Sequence, residues 1–510
     1  MSTPIVKLVG ITPEIVLVVT AFVVLIAGAS LKDKLVRPYL AWVTSAGFVL
    51  ALIFTTAAWG RVQDRGPELH LGRMIAVDGF ATFTKFALAV FGLLTVWLAR
   101  DWLQREVDAP TSGDDRRRGI GGGLDAEFYA LVLFAVAGMM LMASSADLIM
   151  TFIALETFSI PLYVLVGFRR RSMEGQGSAM KYFLLGAFSS SFFLLGIALA
   201  YGATGSTNLY SPGSDDPSLV GHLATTGVEN LGLLILATGL LIVGLGFKIA
   251  AVPFHMWTPD AYQGAPSPVT GFMAAGTKLA AFAAILRLLD VTLLPLRQDW
   301  QPLVIGLAVV TMVIGSVLAV VQEDLKRILA YSSIAHAGFV LVGVIAANDG
   351  GVSGSLFYLV TYGLSVLGAF AVVSIVGGRN ENHVRLSDYR GLFYRSPLLA
   401  GALTLFLLSL AGVPLTSGFV GKLVVFGAAI DAGYSWLVVI AFGASLVAVF
   451  FYLRVLVAMY MEEAPEVPSQ PQPALSTAVV ALTALATIGL GLFWGPLFDL
   501  AEKATIFFSV

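Results

Sequence analysis

The chain has 510 residues, of which 57% are hydrophobic and 12% charged, with a formal net charge of −2 and a mean hydropathy of +0.87. A soluble domain carries about 25% charged residues, so this is a membrane chain, and its near-neutral charge argues against a nucleic-acid partner. Cysteine is absent and the five histidines are scattered, which excludes disulfides, thiolate iron–sulfur ligands and cysteine-based zinc sites; no Gly-rich nucleotide loop is present either.

A helix needs about 20 apolar residues to cross the hydrocarbon. The sequence predicts about fourteen such spans, near 14–31, 39–59, 78–99, 127–145, 147–168, 178–203, 229–257, 265–290, 302–321, 326–347, 353–377, 397–430, 433–460 and 474–498. The first has a cleavage-like Ala27-Gly28-Ala29, yet its basic residues Lys32, Lys34 and Arg37 follow the apolar run. That order marks a retained helix and not a signal peptide.

Alternate loops concentrate the positive charge: Lys32, Lys34 and Arg37; Arg100, Arg105 and Arg116–Arg118; Arg169–Arg171; Lys326 and Arg327; Arg379, Arg385, Arg390 and Arg395. The opposite loops hold chiefly Arg61, Arg65, Arg73 and Arg297. The positive-inside rule then places both termini on the outer face. The Arg61–Arg73 loop runs against that bias, and nothing in the sequence explains it.

Within the spans we count six basic residues, Lys85, Lys181, Lys248, Lys278, Lys422 and Arg454, and one deep acid, Glu156. Each such charge costs about 2.5–3.5 kcal/mol on insertion scales. Arg454 and Lys181 lie near inner ends and can snorkel. Lys85 sits two turns into its span, where snorkelling or a pair with Asp78 suits it. Lys278 and Glu156 are mid-span, beyond that reach. Glu156 with Lys248 reads either as a fixed ion pair or as a titrating site.

Two spans are too long for one crossing. Residues 231–257 as one helix reach about 40 Å at ~1.5 Å per residue, against a core of about 30 Å. Residues 398–430 are longer still. Both contain a Pro break, "AAVPFHMW" at 250–257 and "LAGVPLTSGF" at 410–419, and both carry a nearby lysine, Lys248 and Lys422. Proline removes a helix hydrogen bond, and unwound backbone at membrane depth belongs where it lines a cavity or wet path. The breaks fall on the seventh and twelfth spans, so a five-helix unit, spans 4–8 and 9–13, would be inverted relative to its copy. The expected fold is an all-α polytopic membrane protein of about fourteen helices. It has two inverted five-helix repeats with discontinuous helices 7 and 12. Its parts are helices 1–3 with an inner loop (1–126), a first repeat (127–290), a second repeat (302–460) and a last helix (474–510).

Burial disfavours the charged form of a lysine and a nearby carboxylate restores it. A membrane lysine with no metal or substrate pocket therefore reads as a proton relay.

The stretches "MKYFLLGAFSSSFFLLGIALAYGATGS" (180–206), "GFKIAAVPFHMWTPDAYQGAPSPVTGF" (246–272), "DLKRILAYSSIAHAGFVL" (324–341) and "LAGVPLTSGFVGK" (410–422) carry a specific resemblance. The chain resembles the antiporter-like membrane subunits of the proton-pumping NADH–quinone oxidoreductase, respiratory complex I. That group is related to multi-subunit sodium/proton antiporters. "WTPDAYQGAPSPV" and the lack of a long lateral C-terminal helix point to its N type over its L and M types. The resemblance covers roughly residues 75 to 460. It implies a proton relay of Glu156, Lys248, Lys278, His336 and Lys422, with Lys181 matching a sixth-helix lysine of less settled role. It also implies that flavin, iron–sulfur clusters and quinone belong to partner subunits, among them M-, L-, K- and J-type membrane chains, in a bacterial inner membrane. The polar insertion "PTSGDDRRRGIGGG" (110–123) departs from the family pattern and reads as a peripheral inner loop.

The alternatives are a stand-alone cation/proton antiporter and a structural membrane scaffold. Co-purification of an NADH-oxidising flavoprotein with the tagged chain separates the complex from a lone oligomer. The charge asymmetry predicts that Arg169–Arg171 faces the cytoplasm and the Asn208–Gly227 loop the outside. Single cysteines introduced into this cysteine-free chain should label with an impermeant maleimide from the outside at 208–227; labelling there only from the inside refutes the orientation.

Overall fold

The computed structural model describes residues 8–31, 33–107, 124–169, 172–210, 218–223, 230–378, 381, 383–463 and 472–505. Lys32, Arg116–Arg118, Arg170–Arg171, Arg379, the 110–123 insertion and parts of the 208–227 loop lie outside them.

The apolar runs form helices in the expected order. They are α1 (Thr12–Ser30), α2 (Asp33–Arg65), α3 (Gly79–Val107), α4 (Leu124–Ala143), α5 (Leu148–Val166) and α6 (Met173–Thr204). The seventh crossing is split into α7 (Leu231–Ile249) and α8 (Trp257–Gly264). Then come α9 (Ser267–Thr292), α10 (Arg297–Val320), α11 (Leu325–Ala346) and α12 (Asp349–Gly377). The twelfth crossing is split into α13 (Pro397–Ala411) and α14 (Ser417–Asp431), followed by α15 (Ser435–Met461), α16 (Ala474–Leu492) and the short α17 (Gly495–Ala504). Among the described residues, 13 helices are long and apolar enough to cross a membrane, and α13 is a shorter apolar helix. Polar caps set several starts: Asp147 accepts from the Ile149 and Met150 N–H groups, Ser172 from Gly175, and Asp324 from Arg327, each satisfying donors a helix end leaves open.

The Arg61–Arg73 segment is not a plain loop. α2 continues to Arg65, and a hairpin follows, β1 (Glu68–His70) antiparallel to β2 (Ile75–Val77), with Glu68 opposite Val77. Ile75 also bridges Ser145, which ties the hairpin to the start of α5.

Helices sort by burial. α9 buries its whole apolar length and α11 and α12 bury 94% of theirs, against 28% for α1 and α16. The bundle is therefore a sleeve of half-exposed helices around α9, α11 and α12. α10 packs on α11, α6 on α7, α4 on α5 and α12 on α14.

Both breaks have the same backbone chemistry. α7 ends at Ala250 with φ 62°, and the Ala251 N–H bonds Gly246 O at 2.8 Å. α13 ends at Gly412 with φ 89°, and the Val413 N–H bonds Leu408 O at 3.0 Å. This is the left-handed helix stop with a six-residue closing bond. Gly412 takes that φ freely, whereas Ala250 pays roughly 1–2 kcal/mol for it.

Several buried charges differ from expectation. Lys85 pairs with Glu14 at 2.6 Å and donates to Gly10 O, not to Asp78. Asp78 instead holds Arg287, with Nη1 and Nη2 donating to its two oxygens at 2.8 and 2.7 Å. Arg287 lies in the eighth span and is 1% exposed, so six basic residues is too few. Glu156 is likewise not alone, because Glu14 and Asp290 are 3% and 9% exposed within α1 and α9. Arg454 is capped as a structural residue should be, donating to Val320 O at 2.6 Å and to Gln322 O. The Asp78–Arg287 pair joins the start of α3 to the C-terminal half of α9. Removing one partner of such a pair strands a charge at a cost of about 3–5 kcal/mol. We expect Asp78→Asn to lower the melting temperature of the purified assembly, and Asp78→Leu with Arg287→Met to recover most of it, read by thermal unfolding in detergent.

Candidate functional site

The site starts at the half-buried Glu156 on α5. Its carboxylate accepts a hydrogen bond from Ser190 Oγ of α6 at 2.5 Å. One turn further along α5, on the same face, Ser159 and Tyr163 receive Lys248. Its Nζ donates to Ser159 Oγ at 2.7 Å and to Tyr163 Oη at 3.3 Å. Ser159 Oγ in turn donates a hydrogen bond to Leu155 O. Glu156 and Lys248 therefore do not form the direct ion pair weighed above. They sit on neighbouring hydroxyls of one polar face. Gly186 permits the arrangement, since a Cβ there would stand 2.1 Å from Tyr163 Oη.

Lys248 occupies the last turn of α7 and is 2% exposed. The rings of Phe158, Tyr163, Tyr182 and Phe247 surround its ammonium at 5.3–5.6 Å. Helix C-termini carry about −0.5 of a charge, and aromatic faces attract cations, so a lysinium is tolerated here without a counter-ion. The break's freed groups also find partners. Phe247 O accepts from Trp257 Nε1 at 3.0 Å, and the Val252 N–H donates to Thr311 Oγ1 at 2.9 Å.

Lys278 lies in the buried centre of α9, just after a π-helical turn, Met273–Thr277. It donates to Ser333 O on α11. Ser333 Oγ lies 3.4 Å from the Tyr262 hydroxyl of α8, so the helix following the first break reaches the Lys278 acceptor.

His336, three residues beyond Ser333 on α11, bonds Tyr358 Oη of α12 through Nδ1 at 2.6 Å. Its Nε2 is buried without a partner. Phe339 packs against both it and the next lysine. That ring centroid is 5.5 Å from the imidazole and 4.8 Å from Lys422 Nζ. Lys422 on α14 reaches back across the second break to cap α13, donating to Ala411 O at 2.9 Å and to Ser445 Oγ of α15 at 2.6 Å.

Lys181 lies apart from this row. Its side chain is 63% exposed and pairs with Asp260 of α8 at 2.7 Å. Arg327 shares that carboxylate at 3.0 Å. Beside this group Glu381 is buried, accepting from Lys326 at 2.8 Å and from the Ser267 N–H at 2.6 Å at the start of α9. Burial works against its charge, but Lys326 and then Arg169 hold its carboxyl below the usual carboxylate range.

Buried cations thus fall into two sets. Lys85, Arg287 and Lys326 each touch a carboxylate. Lys248, Lys278 and Lys422 contact hydroxyls, carbonyls and rings, with no ion pair among the described residues. An ammonium bonded to neutral acceptors can give up its proton without stranding an anion. The hydroxyl partners Ser190, Tyr163, Tyr262, Tyr358 and Ser445 escaped the sequence reading. Ser159 and Tyr163 alone had a signal, their spacing after Glu156.

A buried row of unpaired ammonium groups across two broken helices is the architecture of an antiporter-like membrane subunit. The chain belongs to the NADH:quinone oxidoreductase/Mrp antiporter transmembrane family, which its residues 145–448 match. Several relatives that it matches over nearly its whole length are named NADH-quinone oxidoreductase subunit N. It is 42% identical over 518 residues to NADH-quinone oxidoreductase subunit N of Salinispora arenicola, covering 99% of each chain. It is 50% identical over 385 residues to the same subunit of Rhodococcus opacus, covering 75% of this chain and 70% of that one. Among solved structures it superposes on a chain of respiratory complex I from Thermus thermophilus with a TM-score of 0.78 and 36% identity, covering 96% of this chain and 100% of the other.

Among the described residues Lys278 has no counter-ion, so its removal should spare folding. We expect Lys278→Ala to lower proton pumping and coupled quinone reduction about tenfold or more while the complex assembles. Parental pumping in the assembled variant refutes a relay role for Lys278.

Proposed function

We propose that this chain is the N-type membrane subunit of a proton-pumping NADH:quinone oxidoreductase in a bacterial cell membrane, with both termini on the outer face. Protons move along Glu156, Lys248, Lys278, His336 and Lys422, and Lys181 belongs to the inner mouth beside Asp260. The two five-helix units, 127–290 and 302–460, act as inverted halves around one broken helix each. Flavin, iron–sulfur clusters and quinone are handled by partner subunits, and M-, L-, K- and J-type membrane chains are its neighbours.

The observation that carries this reading is the absence of counter-ions. Lys248, Lys278 and Lys422 keep polar but neutral partners in the part of the molecule most costly for charge, where Lys85, Arg287 and Lys326 meet carboxylates. Charge on Glu156 then tips the balance at Lys248 through the shared α5 face, without a contact that would lock the proton in place. Moving one charge through the whole potential requires about 2.3 kcal/mol per 100 mV, so the coupling between neighbours must be of that order.

Glu156→Gln is expected nearly to abolish pumping, and Glu156→Asp to retain part of it. The double variant Glu156→Gln with Lys248→Met should assemble yet stay impaired. Assembly and proton translocation are measured together in vesicles. A fully active double variant sinks the relay, because it means the two groups only balance each other.

A further inference from the structure

α9 also bears a buried acid that the relay does not use. Asp290 is 9% exposed, and among the described residues neither carboxylate oxygen has a hydrogen-bond partner. Its neighbours are committed elsewhere. Arg287 bonds Asp78, Tyr210 Oη and Ala143 O. Thr292 donates to Arg287 O at 3.0 Å. Arg297, the cation whose field reaches Asp290, donates to Ile345 O and Ala346 O at 3.3 and 3.1 Å.

An unbonded carboxylate in such surroundings is costly, and a protonated carboxyl much less so. Lys278 presents the mirror case on the same helix. From 278 to 290 is about 18 Å along the axis. With Lys278 as ammonium and Asp290 as carboxylate, the helix holds two isolated buried charges. Moving one proton from Nζ to the carboxylate removes both. We infer that Asp290 accepts the proton from Lys278 and releases it at the far end of α9, an inference that rests on the relay reading above.

The step balances simply. An N–H bond of the ammonium breaks, leaving its electron pair on Nζ, and an O–H bond forms on Asp290. A cavity of about 10 Å³ lies against α9 at Ala284, Arg287 and Leu288, with Ser145 and Thr151 in an otherwise largely apolar wall, room for a single water beside the stretch that separates the two groups. Asp290 itself sits in a π-helical turn, Arg287–Thr292, a backbone form found often at functional sites. Release is favoured by Arg297, whose positive charge supports the carboxylate form once the proton reaches the surface.

The test uses the intact complex in sealed vesicles, reading protons translocated per NADH oxidised. Asp290→Asn and Asp290→Leu are expected to assemble, because no hydrogen bond is lost, and to pump several-fold less. Asp290→Glu is expected to restore part of the pumping. Lys278→Ala combined with Asp290→Asn is expected to be no worse than Lys278→Ala alone, since both lie on one path. Infrared difference spectra should show a protonated carboxylic acid band that Asp290→Asn removes. Parental pumping in the Asn variant, or a missing band, overturns the inference. So does failure of both the Asn and Leu variants to assemble, which would reveal a structural partner. If Lys278→Ala itself pumps at the parental rate, the relay reading fails; if only Asp290→Asn does, the relay stands and this outlet alone falls.

Discussion

A charge inside a membrane protein is tolerable only with a partner, and the kind of partner decides what the charge can do. A carboxylate at ion-pair distance holds a cation in place and makes its proton expensive to remove. Lys85 with Glu14, Arg287 with Asp78 and Lys326 with Glu381 are of this kind. They join segments remote in sequence, from α1 and α3 to the loop before α13. Hydroxyls, carbonyls and ring faces soften the cost of an ammonium without binding its proton so tightly. Lys248, Lys278 and Lys422 are of that second kind, and the rest of the architecture serves to supply their surroundings.

The two helix breaks are the chief source of that supply. A helix that stops inside the bundle exposes carbonyls and the negative end of its dipole to whatever lies beside them. Lys248 rides on the last turn of α7, and Lys422 comes back from α14 to touch Ala411 O at the end of α13. The opposite placement, one lysine before its break and one after, reaches the same electrostatic result. Other freed groups are met by Trp257, Thr311 and Ser409, so neither break leaves its backbone stranded.

Topology was the most legible part of the chain, because the cost of exposing backbone to lipid leaves only helices of a set length. The breaks were legible for the same reason: 231–257 and 398–430 are too long and contain proline. Lys248, Lys278 and Lys422 stood out because a charge in an apolar run is conspicuous. Their partners did not, since a serine or tyrosine in a membrane helix is ordinary and its meeting with a lysine some 90 residues away depends on packing. The same blindness assigned Lys85 to Asp78, its neighbour in sequence, where the fold delivers Glu14 from another helix. Arg287 was overlooked beside the end of its span, and the hairpin at 68–77 lacks the strong alternation that marks strands in longer sheets.

Phe339 packs against both His336 and Lys422, its ring within 6 Å of each. A benzene ring offers a proton neither a lone pair nor an exchangeable hydrogen. Under the proposed relay, transfer past it would wait until the ring swings aside or water enters around it, as at apolar constrictions that open by wetting. A continuous wire of titratable groups would short-circuit the membrane whose voltage it helps to build. In that reading the phenylalanine is an insulating joint beside the conductor, letting charge pass in discrete steps while blocking leakage between them.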